Sequence, residues 1–70
     1  MRIFLTGGTG FVGSNLLKYF IENDVKVTAL KRSRDSTTKV PLDIEPNWII
    51  SSFNNVEEKH FKNIDFLIHL

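Results

Sequence analysis

Seventy residues allow one small domain, and a chain of that size buries only about 60% of the surface it exposes when unfolded. The apolar fraction of 41% and charged fraction of 24% suit a globular chain. A net charge of +1 provides no broad basic field for nucleic acid. The absence of cysteine excludes disulfides, thiolate metal sites and thiol catalysis from this segment. No apolar run approaches the roughly 20 residues that span a bilayer. The N-terminal apolar stretch is broken by glycines too early for a signal peptide, so a cytoplasmic setting without membrane or nucleic-acid partners is expected.

In chain order the pattern alternates strand and helix. Arg2 to Thr6 reads as a short strand with no polar alternation, as in a parallel sheet covered on both faces. Phe11 to Asn23 reads as a helix. Val12, Leu16 and Phe20 recur every four residues, Leu17 and Ile21 widen the stripe, and Asn23-Asp24 is the stop. Val25 to Leu30 reads as a second strand with Val25, Val27 and Ala29 on one face. Lys31 to Pro46 lacks helical periodicity and reads as a long loop. Trp48-Ile49-Ile50 is a third strand, Val56 to Phe61 a short helix, and Ile64 to Leu70 a fourth, apolar strand.

This order implies parallel strands joined by crossovers. The expected fold is α/β: the N-terminal part of a doubly wound parallel-sheet Rossmann fold, strand order 3-2-1-4, with its ligand crevice between strands 1 and 4. The chain stops at Leu70, at the end of an apolar strand that would otherwise be covered or paired. Residues 1–70 are therefore expected to be the first part of a dinucleotide-binding domain, with the rest of that domain and a substrate domain beyond them. An exposed edge of this kind also makes pairing with a second copy possible.

The segment Thr6-Gly7-Gly8-Thr9-Gly10-Phe11-Val12-Gly13 joins the first strand to the first helix. Gly7, Gly10 and Gly13 form G-x-x-G-x-x-G, while Gly8, Gly10 and Gly13 form G-x-G-x-x-G. Either way one glycine permits the tight turn, and Gly10 admits a pyrophosphate close to the backbone. Gly13 lets the helix pack on the strand. The anion then faces the free amides of residues such as Phe11 and Val12 at the helix N-terminus. A nucleotide triphosphatase loop has the wrong register, because Ser14-Asn15 stands where Lys-Ser/Thr is required.

The octapeptide resembles the T-G-x-x-G-F-I/V-G signature of extended short-chain dehydrogenases/reductases, the NAD(P)-dependent epimerase/dehydratase family. Ile64-Asp65-Phe66-Leu67-Ile68-His69-Leu70 is similar to that family's fourth strand, D-x-V-I-H-L-A-A. The resemblance covers the whole chain but a quarter or less of a typical member. It implies a Rossmann domain, a nicotinamide cofactor, and a Ser/Thr with Tyr-x-x-x-Lys for proton transfer. That last motif is absent from these residues: Tyr19 has Asn23 four positions on and reads as a packing or surface residue, so no catalytic residue is assigned.

An acidic residue at the end of the second strand would mark an NAD enzyme. Lys31 and Arg32 stand there instead. Leu30-Lys31-Arg32 is similar to the L-x-R of family members that use NADP, and an arginine can bind a 2′-phosphate through charge-assisted bonds. NADP is favoured; Asp35 keeps NAD possible. After the third strand the family commonly has Gly-Asp-Leu/Ile, whose aspartate reaches the adenine. Here Ser51-Ser52-Phe53 is aligned, so Ser52 and Phe53 become the adenine candidates. Leu70, where the fourth strand ends, completes the cofactor-binding candidates.

His60 reads as a surface residue, His69 as a structural residue in a buried strand, and Trp48 as core or edge packing. Neither histidine has a partner at metal-ligand spacing. Glu57 and Glu58 are adjacent and diverge on a helix, so they are not an acid/base pair. Two functions stay open. One is an oxidoreductase transferring hydride at a carbinol or carbonyl carbon of a nucleotide sugar or small carbonyl substrate. The other is a dinucleotide-binding sensor, similar to NmrA-like proteins, without catalysis. Tyr-x-x-x-Lys in further sequence would separate them.

Overall fold

In a computed structural model, which describes residues 1–52, 56 and 58–70, four strands form one parallel sheet in the order β3-β2-β1-β4. The strands are β1 (Arg2–Thr6), β2 (Lys26–Lys31), β3 (Asn47–Ile50) and β4 (Phe66–His69). A single helix, α1 (Phe11–Glu22), joins β1 to β2. The order is the one the alternation of the sequence implies. β1 is central, and Ile3, Phe4 and Leu5 are buried on both faces of the sheet, which is why that strand shows no polar alternation.

The pairing register aligns Trp48, Ala29, Leu5 and Ile68 in one row across the four strands. Leu17 of α1, fully buried, packs in the same cluster as Leu5, Val27 and Ala29, flanked by Val25, Trp48 and Ile68. Burying such a leucine contributes roughly 2–3 kcal/mol. Val25, Val27 and Ala29, which the sequence places on one face, thus meet in this one cluster, Val25 just ahead of β2. Successive residues alternate sides, so Phe4 packs on the opposite face, its ring centroid 4.9 Å from that of Phe61.

The buried side of α1 is Gly13, Ser14 and Leu17, with Leu16, Phe20 and Ile21 beside them. Val12 is not on it. That side chain is 65% exposed, because the helix is rotated to bring Gly13 against the chain leaving β1. The stop at Asn23-Asp24 is a Schellman arrangement. Asp24 has φ +58°, its N–H donates to the Ile21 carbonyl at 3.2 Å, and the Val25 N–H donates to the Phe20 carbonyl at 2.9 Å. Asn23 adds a bond from Nδ2 to the Tyr19 carbonyl at 2.8 Å.

Residues 32–46 contain no helix, as their lack of periodicity implies. The helix expected from Val56 to Phe61 is a 3-10 turn over Glu58–Phe61; a segment this short closes only one tight turn. β4 is an edge strand with Phe66 and Leu67 more than half exposed. His69 is exposed as well, which corrects the expectation of a buried strand. The start of β4 is fixed to β1 by Asp65: the Arg2 N–H donates to its Oδ2 at 2.8 Å, and its own N–H donates to the Arg2 carbonyl at 2.9 Å.

Candidate cofactor-binding site

The carboxyl ends of all four strands lie along one edge of a parallel sheet, and in open α/β sheets ligands bind outside that edge. The residues there are Gly7 to Gly13 after β1, Lys31 and Arg32 at the end of β2, Ser51 and Ser52 after β3, and Leu70 after β4. A cavity of about 830 Å3 lies at the opposite edge. It is lined by Arg2, Val25, Asn47, Lys59, His60 and Ile64 among others, residues at or before the strands' N-terminal ends. Its volume does not make it the site, because neither the glycine turn nor the helix N-terminus reaches it.

Two glycines of the turn are required by the protein's own geometry, each for a different reason. Gly7 has φ +75°, and a Cβ there would stand 3.0 Å from the Leu70 Cβ. It therefore serves both the left-handed backbone and the close approach of β4. The turn closes with the Gly10 N–H donating to the Gly7 carbonyl at 3.0 Å. A Cβ on Gly13 would collide with the Gly7 carbonyl oxygen and stand 2.7 Å from its carbon. That is the close helix–strand contact the spacing implies.

Gly10 differs from both. Its φ of −76° and ψ of 174° suit any residue, and among the described residues the only neighbour of an added Cβ within 4 Å is the Gly7 oxygen at 3.4 Å. Nothing in the packing of the described residues demands glycine there. The space in front of it is open, at the start of a helix with no side-chain cap and no acidic residue in its first turn. The first amides of α1, at Phe11 and Val12, have no partner within the helix, and these side chains are 73% and 65% exposed. The arrangement fits a bound anion whose oxygens occupy the space a Cβ would fill.

Thr6 and His69 join β1 to β4 beside this turn. Thr6 Oγ1 lies 2.6 Å from His69 Nδ1 and accepts the Leu70 N–H at 3.3 Å. Leu70 is thereby held against Gly7, so two candidates from opposite ends of the chain meet. At the end of β2 the two cations separate. The Lys31 ammonium lies 4.9 Å over the Trp48 ring and donates to the carbonyls of Arg34 and Ser36 at 3.3 and 3.4 Å. Arg32 is exposed. Ser52 is half-buried just beyond β3, and Phe53 lies outside the described residues.

Ser14 is the feature that motif reading misses. It is fully buried; its Oγ donates to the Gly8 carbonyl at 2.9 Å and accepts the Lys39 N–H at 2.9 Å. The available signal is a hydroxyl on the helix face that also holds Gly13 and Leu17.

A parallel sheet in the order 3-2-1-4, with a glycine turn running from its central strand into a helix, defines a Rossmann-type dinucleotide-binding unit. The model of the NAD dependent epimerase/dehydratase family matches residues 3–70, and the chain belongs to that family. Over 70 residues it is 35% identical to a sterol-4-alpha-carboxylate 3-dehydrogenase, decarboxylating, of Dictyostelium discoideum; this covers 97% of the chain and 21% of that protein. Among solved structures it is similar to TunA, described as an NAD dependent NDP-hexosamine 5,6-dehydratase involved in tunicamycin biosynthesis. The TM-score is 0.82 at 26% identity, covering 99% of this chain and 22% of that one. It is also similar to MoeE5 in complex with UDP-glucose and NAD, with a TM-score of 0.77 at 26% identity, covering all of this chain and 22% of that one. The chain thus spans about a fifth of the length of these proteins.

Proposed function

We propose that these residues are the dinucleotide-binding segment of an NAD(P)-dependent epimerase, dehydratase or reductase. Its substrate class is a nucleotide sugar or a small carbonyl or carbinol compound. The observation that carries this reading is Gly10, a glycine the fold does not require at a helix N-terminus with open space before it. The printed descriptions of TunA and MoeE5 support the cofactor and the nucleotide-sugar class. The bound nicotinamide supplies hydride donor and acceptor chemistry. This chain's own residues bind and orient. The Phe11 and Val12 amides hold the pyrophosphate, Gly7 and Leu70 shape the crevice between β1 and β4, and Ser52 lies on the adenine side.

NADP is the favoured cofactor. Lys31 and Arg32 stand at the end of β2 where an NAD enzyme would carry a carboxylate, and the exposed Arg32 guanidinium is of the type that pairs with a 2′-phosphate. Calorimetric titration of the full-length protein with NADP+ and NAD+ tests the reading. Tight binding that Gly10→Val abolishes is expected; unchanged affinity in that variant removes the turn as the phosphate site.

A further inference from the structure

The Ser14 hydroxyl spends its one proton on Gly8 and a lone pair on Lys39, giving a chain of three dipoles from the Lys39 N–H through Ser14 to the Gly8 carbonyl. The two ends belong to different parts of the site. Gly8 is in the phosphate turn, and Lys39 is in the β2–β3 connection, the segment that also carries Arg32 and Arg34. Holding the Gly8 carbonyl inward has a second effect. The peptide is planar and trans, so the Thr9 N–H points the opposite way, outward from Ser14.

The connection has no helix to fix it; beyond Lys39, Leu42 packs against the core cluster, and ahead of it the described polar anchors are few. The Lys31 ammonium gathers the carbonyls of Arg34 and Ser36, and the Ser36 N–H closes a turn on the Ser33 carbonyl at 3.1 Å. Thr38 Oγ1 donates to the Val40 carbonyl at 2.6 Å. These contacts are internal to the connection and its own strand. The Lys39–Ser14 bond ties it to the helix that presents the pyrophosphate amides.

We propose that Ser14 is a positioning residue for cofactor choice: its buried hydroxyl sets the β2–β3 connection in register with the phosphate turn, so that Arg32 meets the ribose phosphate of a dinucleotide seated there. This rests on the dinucleotide reading above. Ser14 touches no cofactor atom in this role. It acts through Lys39 on the connection and through Gly8 on the turn.

Hydrogen exchange and calorimetry on the full-length protein, with NADP+ and NAD+ as probes, test it. Ser14→Ala is expected to speed exchange of the Lys39 amide at least tenfold while the β1 amides stay protected. It is expected to weaken NADP+ by about tenfold, the scale of one lost hydrogen bond, and NAD+ by no more than about threefold. Lys39→Pro removes the same N–H from an exposed position and leaves the buried Ser14–Gly8 bond in place. It should shift the NADP+/NAD+ ratio in the same direction even if the Ser14 variant does not fold. Equal loss of both cofactors in Lys39→Pro, or Lys39 exchange unaltered in Ser14→Ala, overturns the proposal. A wild-type protein that binds neither dinucleotide overturns the reading of the turn itself, an outcome distinct from equal losses.

Discussion

Gly13 lies against the carbonyl of Gly7 so closely that a single added methyl would stand 2.7 Å from the Gly7 carbon and 3.0 Å from the Gly8 Cα. Both neighbours are backbone atoms of the tight turn, so neither can rotate away. Gly13→Ala is therefore expected to cost about 3 kcal/mol or more, at the upper end of overpacking penalties. Urea unfolding of the full-length protein measures it; a loss below about 1 kcal/mol would show that the helix can slide outward without penalty.

Gly10→Val should separate binding from folding. The backbone at Gly10 is extended and its surroundings are open, so valine costs at most about 1 kcal/mol through poorer helix capping. Dinucleotide affinity is expected to fall at least about a hundredfold, because a branched side chain fills the pyrophosphate path. Parallel unfolding and calorimetric titrations check the two halves. Comparable damage to both would mean that position 10 serves the fold.

Arg32 and Lys31 should behave differently although they are neighbours. Arg32→Ala is expected to weaken NADP binding by roughly 1.5–3 kcal/mol and leave NAD nearly unaffected. Lys31 is engaged with Trp48 and two carbonyls, so Lys31→Ala should loosen the connection and weaken NADP by a smaller factor than Arg32→Ala does, with NAD less affected. Its lost cation–π contact is worth about 0.5–1 kcal/mol. Trp48 is the single tryptophan of the chain, and its emission should shift in the Lys31 variant. Equal effects of Arg32→Ala on the two cofactors would end the case for a phosphate contact.

Thr6→Val keeps the shape of a buried side chain while removing the hydroxyl that joins His69 and Leu70 to β1. A destabilisation of about 1–2 kcal/mol is expected from the two hydrogen bonds, with Thr6→Ser restoring most of it. The proposed cofactor crevice opens at this junction, so cofactor affinity should fall in the valine variant as well. If neither denaturation midpoint nor affinity moves, the Thr6–His69 contact contributes nothing to holding β4.

The strand order was legible because each strand carries its own signal: an unbroken apolar run at Ile3 to Leu5, and alternating small apolar residues at Val25, Val27 and Ala29. The glycine turn was legible because its glycines answer to local backbone geometry, a matter of spacing within eight residues. What spacing could not supply was rotation and partnership. Val12 fits the helical stripe, yet it faces outward because Gly13 has to meet the Gly7 carbonyl. Ser14 sits one position from that motif, and its partner is an amide twenty-five residues away in a segment without periodicity. The two cations at the end of β2 look alike in sequence. Trp48, brought alongside Lys31 only by the pairing of β2 with β3, gives that lysine a different position from Arg32. Local sequence thus determined the strands, the helix and the turn, since those depend on neighbours along the chain. Tertiary structure decided which polar groups are engaged, since that depends on neighbours across the sheet.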